Sequence, residues 1–94
     1  MTIKQKFQSD KFRTILKINK VKKIALFGSY ANGQAKPKSD IDFLVDFDKE
    51  ADLFDQIGLK DDLQDFFKKD VDVVTPTSLN KHLRKKILKE TIPL

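Results

Sequence analysis

Residues 28–48 read GSYANGQAKPKSDIDFLVDFD, and the fold turns on how this stretch is read. Its second half alternates: Ile41, Phe43, Val45 and Phe47 point one way from an extended chain, while Asp40, Asp42, Leu44, Asp46 and Asp48 point the other. The pattern predicts a strand over 40–48. Aspartate is depleted from strands because its short side chain prefers caps and turns and loses hydration in a sheet, so Asp40 and Asp42 need a compensating partner. Upstream, KKIALFG (22–28) is a short apolar run flanked by lysines and stopped by Gly28, the pattern of a buried strand. The connection between the two, GSYANGQAKPKS, is expected to start as a tight turn, wind briefly into helix after Ser29 and end as an exposed loop.

Working outward, residues 2–18 place Ile3, Phe7, Phe12, Ile15 and Leu16 near helical spacing, which predicts one amphipathic helix. From Asp52 to Lys69, the residues Leu53, Phe54, Ile57, Leu59, Leu63, Phe66 and Phe67 recur at three and four, predicting a long helix with Asp52 as N-cap and its Phe residues in the core. KDVDVVTP (69–76) reads as a third strand ended by Pro76. Ser78 or Thr77 is placed to cap a final basic helix, Leu79 to Glu90, with Leu79, Leu83, Ile87 and Leu88 as its apolar stripe. The order helix, strand, loop, strand, helix, strand, helix predicts an α/β (α+β) domain: a small mixed sheet of three to four strands covered by helices.

Ninety-four residues suit one compact domain, so residues 1–94 are expected to form a single unit without a linker or repeat. There is no cysteine, which excludes a disulfide framework and a thiolate metal site. The N-terminus lacks the apolar run of a signal peptide, and no segment approaches the ~20 apolar residues of a membrane span; a cytoplasmic protein is expected. Charge is segregated. Residues 1–23 carry eight basic and one acidic residue, 24–72 six and twelve, and 73–94 five and one. Basic ends can attract nucleic acid, but solvated Lys-rich helix faces give the same count, so direct nucleic-acid binding rests on charge alone.

Residues two apart on a strand share a face, which places the Cα atoms of Asp40 and Asp42 about 7 Å apart at a rise of ~3.3 Å per residue. Asp72, in VDVV, is a third aspartate in an apolar strand that pairing could bring to the same face. Three like charges repel unless a cation lies among them, and hard oxygen ligands suit Mg²⁺. A bland reading also exists, with Asp40 capping a turn and Asp42 and Asp72 on exposed strand faces, since a lone D-x-D is a weak signal. Gly28 and Ser29 weigh against it. They directly follow a strand, where backbone N–H groups can receive a phosphate and glycine permits close approach. The spacing G-SYAN-G is not a P-loop, because Gln34 and Ala35 occupy the places of the phosphate lysine and the metal-binding hydroxyl.

The combination GSYANG, SDIDFLV and, thirty residues after Asp42, the aspartate of VDVV resembles the nucleotidyltransferase superfamily related to DNA polymerase beta. The likeness is to its minimal nucleotidyltransferases of the MNT/HEPN antitoxin type and spans about residues 21–90. It implies the polymerase beta-like nucleotidyltransferase fold. It also implies that Gly28 and Ser29 bind the triphosphate, that Asp40 and Asp42 bind metal, and that Asp72 completes the site as ligand or base. The implied reaction is Mg²⁺-dependent, with two ions, and transfers AMP from ATP to an acceptor. By the same resemblance the acceptor is a HEPN-type helical partner protein and the chain is the antitoxin of a toxin-antitoxin pair. A second copy of the chain is another partner that could complete so small a site.

One departure is Asn32, where the family's loop G-S-x-A-R-G has arginine; asparagine supplies no positive charge. The substitution favours an alternative, a catalytically weak or inactive nucleotide-binding antitoxin that acts by covering its partner. Lys36 and Lys38 are candidates to replace the charge. Tyr30 reads as a packing residue beneath the loop, and His82, among Lys81, Arg84, Lys85 and Lys86, as a surface histidine.

Overall fold

The alternating run becomes the central strand of a four-stranded sheet. The computed structural model describes residues 2–94, as α1 (Ile3–Phe7), α2 (Asp10–Ile18), β1 (Val21–Phe27), α3 (Ser29–Asn32), β2 (Ile41–Phe47), α4 (Leu53–Phe67), β3 (Val71–Val74), a 3-10 turn (Pro76–Ser78), α5 (Lys81–Glu90) and β4 (Ile92–Pro93). The strands lie in the order β3-β2-β1-β4. β1 runs antiparallel to both β2 and β4, and β2 runs parallel to β3, so the sheet is mixed as expected.

One face of the sheet carries the main core, and the other is covered only in part, over Leu44. Ile24, Leu26, Ile41, Phe43, Val45 and Val71 point toward Phe12 and Ile15 of α2 and Leu59, Leu63, Phe66 and Phe67 of α4, forming the core. Phe12, Phe43 and Phe67, with the partly buried Phe7 against them, contact one another in all six pairings, with ring centroids 5.2–6.3 Å apart. Each buried ring contributes roughly 1.5–3 kcal/mol by transfer from water. Because Phe43 is locked into this cluster, its neighbours Asp42 and Leu44 face the opposite side of the sheet.

The single helix expected over 2–18 is two. Ser9 ends one and starts the next: its Oγ donates to the Lys6 carbonyl (2.7 Å) and accepts from the Phe12 N–H (3.3 Å). Phe7 and Phe12, five residues apart, would diverge by about 140° on a continuous helix, so the break brings both rings into the core.

The long helix begins at its expected cap, where Asp52 accepts from the Asp55 N–H and Asp55 accepts from the Asp52 N–H. Its burial starts only at Leu59. Leu53, Phe54 and Ile57 are exposed, which corrects the assignment of Phe54 to the core: the sheet-facing part of the helix begins only at Leu59. The last helix is also later than expected. Asn80, not Ser78 or Thr77, caps it by accepting from the Leu83 N–H (2.8 Å), because Pro76 starts a separate 3-10 turn. Its apolar stripe buries no residue. β4, which the sequence pattern left unassigned, pairs Pro93 with Ala25 and Ile92 with Leu26.

Candidate active site

Strand register builds the site. Phe27 on β1 lies opposite Asp42 on β2, and Asp42 lies opposite Asp72 on β3. In-register neighbours share a face, and since Val71 and Val73 turn to the core, Asp72 stands beside Asp42 on the open face. Gly28, the next residue after Phe27, therefore reaches the same level of the sheet. Asp40 precedes β2 by one residue and is exposed; the Ile41 N–H donates to the Asp70 carbonyl (3.0 Å), which ties this entry to β3.

The electrostatics agree with the register. Partial burial pushes the Asp42 carboxyl above the usual carboxylate range, and the charges of Asp72 and then Asp40 push it in the same direction. Asp42 thus feels the charge of both other aspartates. Among the described residues, no three Asp, Glu or His side chains are gathered closely enough to hold a metal ion as they stand. Like-charged carboxylates with access to water turn apart, so a bound cation would have to draw them in. Their hard oxygen donors fit a divalent cation of the Mg²⁺ type.

Gly28 has φ +74° and ψ −151°, a conformation side chains rarely adopt, and a Cβ there would overlap the Asp42 carboxylate oxygen. Only glycine lets the turn lie against that carboxylate. The Gly28 carbonyl accepts from the Ala31 and Asn32 N–H groups at 3.0 and 3.1 Å, closing α3. The first N–H groups of such a turn have no acceptor within it and are open to an anion.

Asn32 is engaged locally, its Oδ1 accepting from the Gln34 N–H (3.0 Å) and so shaping the exit from α3 ahead of Gly33, which has φ +78°. An amide supplies no positive charge at this position. Lys36 and Lys38 are both exposed in the loop, and Lys38 lines a groove of 280 Å³ with Ser39, Asp40, Lys68 and Lys69. Lys69 Nζ donates to the Pro37 carbonyl, holding the loop against the end of α4. Sequence reading missed Lys68 and Lys69 because only the pairing of β2 with β3 brings them beside Asp40. Tyr30 packs against the core as a supporting residue, and His82 is exposed.

A larger cavity of 570 Å³ lies elsewhere, between α1, α2 and β4, and contains none of the three aspartates. Converging charge and the glycine turn, rather than cavity size, mark the site. No helix among the described residues is long and apolar enough to cross a membrane.

The profile of the nucleotidyltransferase domain family matches residues 9–94. A Methanocaldococcus jannaschii chain provisionally named a protein adenylyltransferase is 42% identical over 72 residues, 77% of each chain. The protein adenylyltransferase MntA of Thermococcus cleftensis is 39% identical over 72 residues, covering 77% of this chain and 73% of its own. A solved structure provisionally named a minimal nucleotidyltransferase superposes with TM-score 0.82 at 30% identity, covering 96% of this chain and 94% of its own. A toxin-antitoxin structure with AMP-PNP gives 0.73 at 29% identity, over 89% of this chain and 69% of its own. An MNT antitoxin in complex with a tri-AMPylated HEPN toxin of Shewanella oneidensis gives 0.66 at 26% identity, over 95% and 70%. The same open face, glycine turn and mixed sheet thus sit in a chain that belongs to the nucleotidyltransferase domain family, in its minimal form.

Proposed function

We propose that residues 1–94 act as one minimal domain that transfers AMP from ATP, with Mg²⁺, to a HEPN-type partner protein as the antitoxin of a toxin-antitoxin pair. The observation that carries this reading is the row Phe27, Asp42 and Asp72 across three neighbouring strands, which sets the Gly28 turn against the carboxylates. The relatives named for protein adenylyl transfer, and those solved with AMP-PNP or with an AMPylated HEPN toxin, supply the nucleotide and the acceptor class.

In this reading the backbone N–H groups at Gly28 and Ser29, with the Ser29 hydroxyl, hold the triphosphate. Asp40 and Asp42 hold the cation, and Asp72 assists as a further ligand or as the base that receives the acceptor's proton. Mg²⁺ bound there would neutralise charge on the phosphates and lower the pKa of the attacking hydroxyl. That hydroxyl attacks the α-phosphorus, a new O–P bond forms, the bond to the β-phosphate oxygen breaks, and pyrophosphate leaves. Lys38, at the groove beside Asp40, supplies positive charge near the carboxylates that Asn32 does not.

The local engagement of Asn32 favours a second reading, an antitoxin that binds nucleotide and partner with little or no transfer. α-labelled ATP, Mg²⁺ and the partner encoded beside this chain separate the two. Label on the partner that disappears with Asp42→Ala supports transfer; partner binding without label supports the second reading and overturns the first.

A further inference from the structure

α4 is apolar on two sides, and the core takes only one. Leu59, Leu63, Phe66 and Phe67 enter the core, while Phe54 is 82% exposed and Leu53 and Ile57 are more than half exposed. Ile57 lies three residues from Phe54 and four from Leu53, so the three make one apolar surface over the first turns of the helix. An exposed apolar cluster with a polar rim is the usual mark of a contact with another molecule.

The rim inverts the charge of the chain. The whole carries +5, yet residues 48–65 hold seven acidic and two basic residues. Part of that charge is engaged within the fold: Asp52 and Asp55 form the capping box, Lys20 pairs with Asp55 at 3.5 Å, and Asp62 accepts from the Asn19 amide at 2.8 Å. Asp48, Glu50 and Asp61 are exposed and have no cation within ion-pair distance among the described residues. Asp61 follows Ile57 by one turn on the same face, and Asp65 follows by two. Asp65 meets Lys68 at 3.4 Å in an exposed pair that a competing cation can replace.

This charge selects the occupant. Carboxylates around the patch repel nucleic-acid phosphates and anionic lipid alike. A second copy laid antiparallel on the same turn would set Asp61 of one copy against the acidic 48–52 segment of the other. We propose that the first turns of α4 dock a partner protein through a basic amphipathic helix. Its apolar stripe covers Leu53, Phe54 and Ile57, and its lysines or arginines face Asp61 and Asp65. α4 lies on the core face and Asp42 and Asp72 on the other, so a partner held there leaves the candidate site open. The proposal stands independently of adenylyl transfer, since no aspartate of that site takes part.

Amide chemical shifts of the isotope-labelled full chain, titrated with a synthetic amphipathic helix bearing a leucine stripe and lysine flanks, test this. Saturable shifts over residues 50–65 are expected. Phe54→Ser should weaken binding by about tenfold with unchanged circular dichroism. The same helix with glutamate flanks should not bind wild type, but should bind the double variant Asp61→Lys with Asp65→Lys. Four results would each overturn the proposal: no binding of the lysine helix, shifts centred on Asp42 and Asp72 instead, undiminished binding by Phe54→Ser, or equal binding of the glutamate helix to wild type.

Discussion

Asp42 carries the heaviest electrostatic load of any residue in the site: partly buried and flanked by Asp72 and Asp40, its ionised form is disfavoured. Protonation or neutralisation should therefore relieve the fold. Asp42→Asn is expected to raise Tm in metal-free protein at neutral pH, by a few degrees at most, while abolishing label transfer; a differential scanning experiment beside the labelling assay reads both. The opposed signs distinguish a site held for chemistry from a structural carboxylate, whose loss would lower stability. Gly28 is the second critical residue. Gly28→Ala must hold a strained φ and displace the Asp42 carboxylate, at a cost of about 1–3 kcal/mol, and should lose transfer together with thermal stability. That both residues are unusual was legible in the sequence, because a glycine stops one apolar run at a turn and aspartates interrupt the next; their contact was not, since it depends on how β1 pairs with β2. Asn32 was legible only as a departure, and its hydrogen bond to Gln34 could not be read from spacing.

At the scale of elements, the Phe7, Phe12, Phe43 and Phe67 cluster sets which way Asp42 faces. Phe43→Ala should cost about 3–5 kcal/mol, enough to unfold much of a domain this size, as urea denaturation would register. The caps make smaller contributions. Ser9→Ala removes the hinge between α1 and α2 and should cost about 1 kcal/mol. Asp55 is held below the usual carboxylate range, first by the Asp52 backbone hydrogen bond and then by Lys20. A lowered carboxylate stabilises the fold above its unfolded pKa and loses that contribution as pH falls through its folded value. Asp55→Ala should thus lower Tm at neutral pH, and the difference from wild type should vanish in acid. Strands β1, β2 and β3 and the helical character of residues 3–18 and of α4 were visible from periodicity, since burial imposes it, whereas the two residues of β4 were too few to show a pattern. The break at Ser9, the exposed start of α4 and the shift of the last cap to Asn80 were not, because tertiary contacts decide where a helix stops and which of its turns meets the sheet.

Over the whole molecule, distant segments are brought side by side: the turn after β1 at Gly28, Asp42 on β2 and Asp72 on β3, with Asp40 at the entry to β2. Register does this, and the sequence could suggest the meeting but not fix the pairing of Asp42 with Asp72. A ligand that binds the folded state alone stabilises it by about 2.7 kcal/mol at a hundredfold excess over its dissociation constant, so Mg²⁺ with a non-hydrolysable ATP analogue should raise Tm in a concentration-dependent way that Asp42→Ala removes. The most direct measurement is a crystal structure with Mn²⁺ and that analogue. Anomalous scattering should place the metal between the carboxylates of Asp42 and Asp72, with Asp40 drawn toward it and the triphosphate on the Gly28–Ser29 turn. Metal bound at another surface, or nucleotide seated away from that turn, would contradict the account.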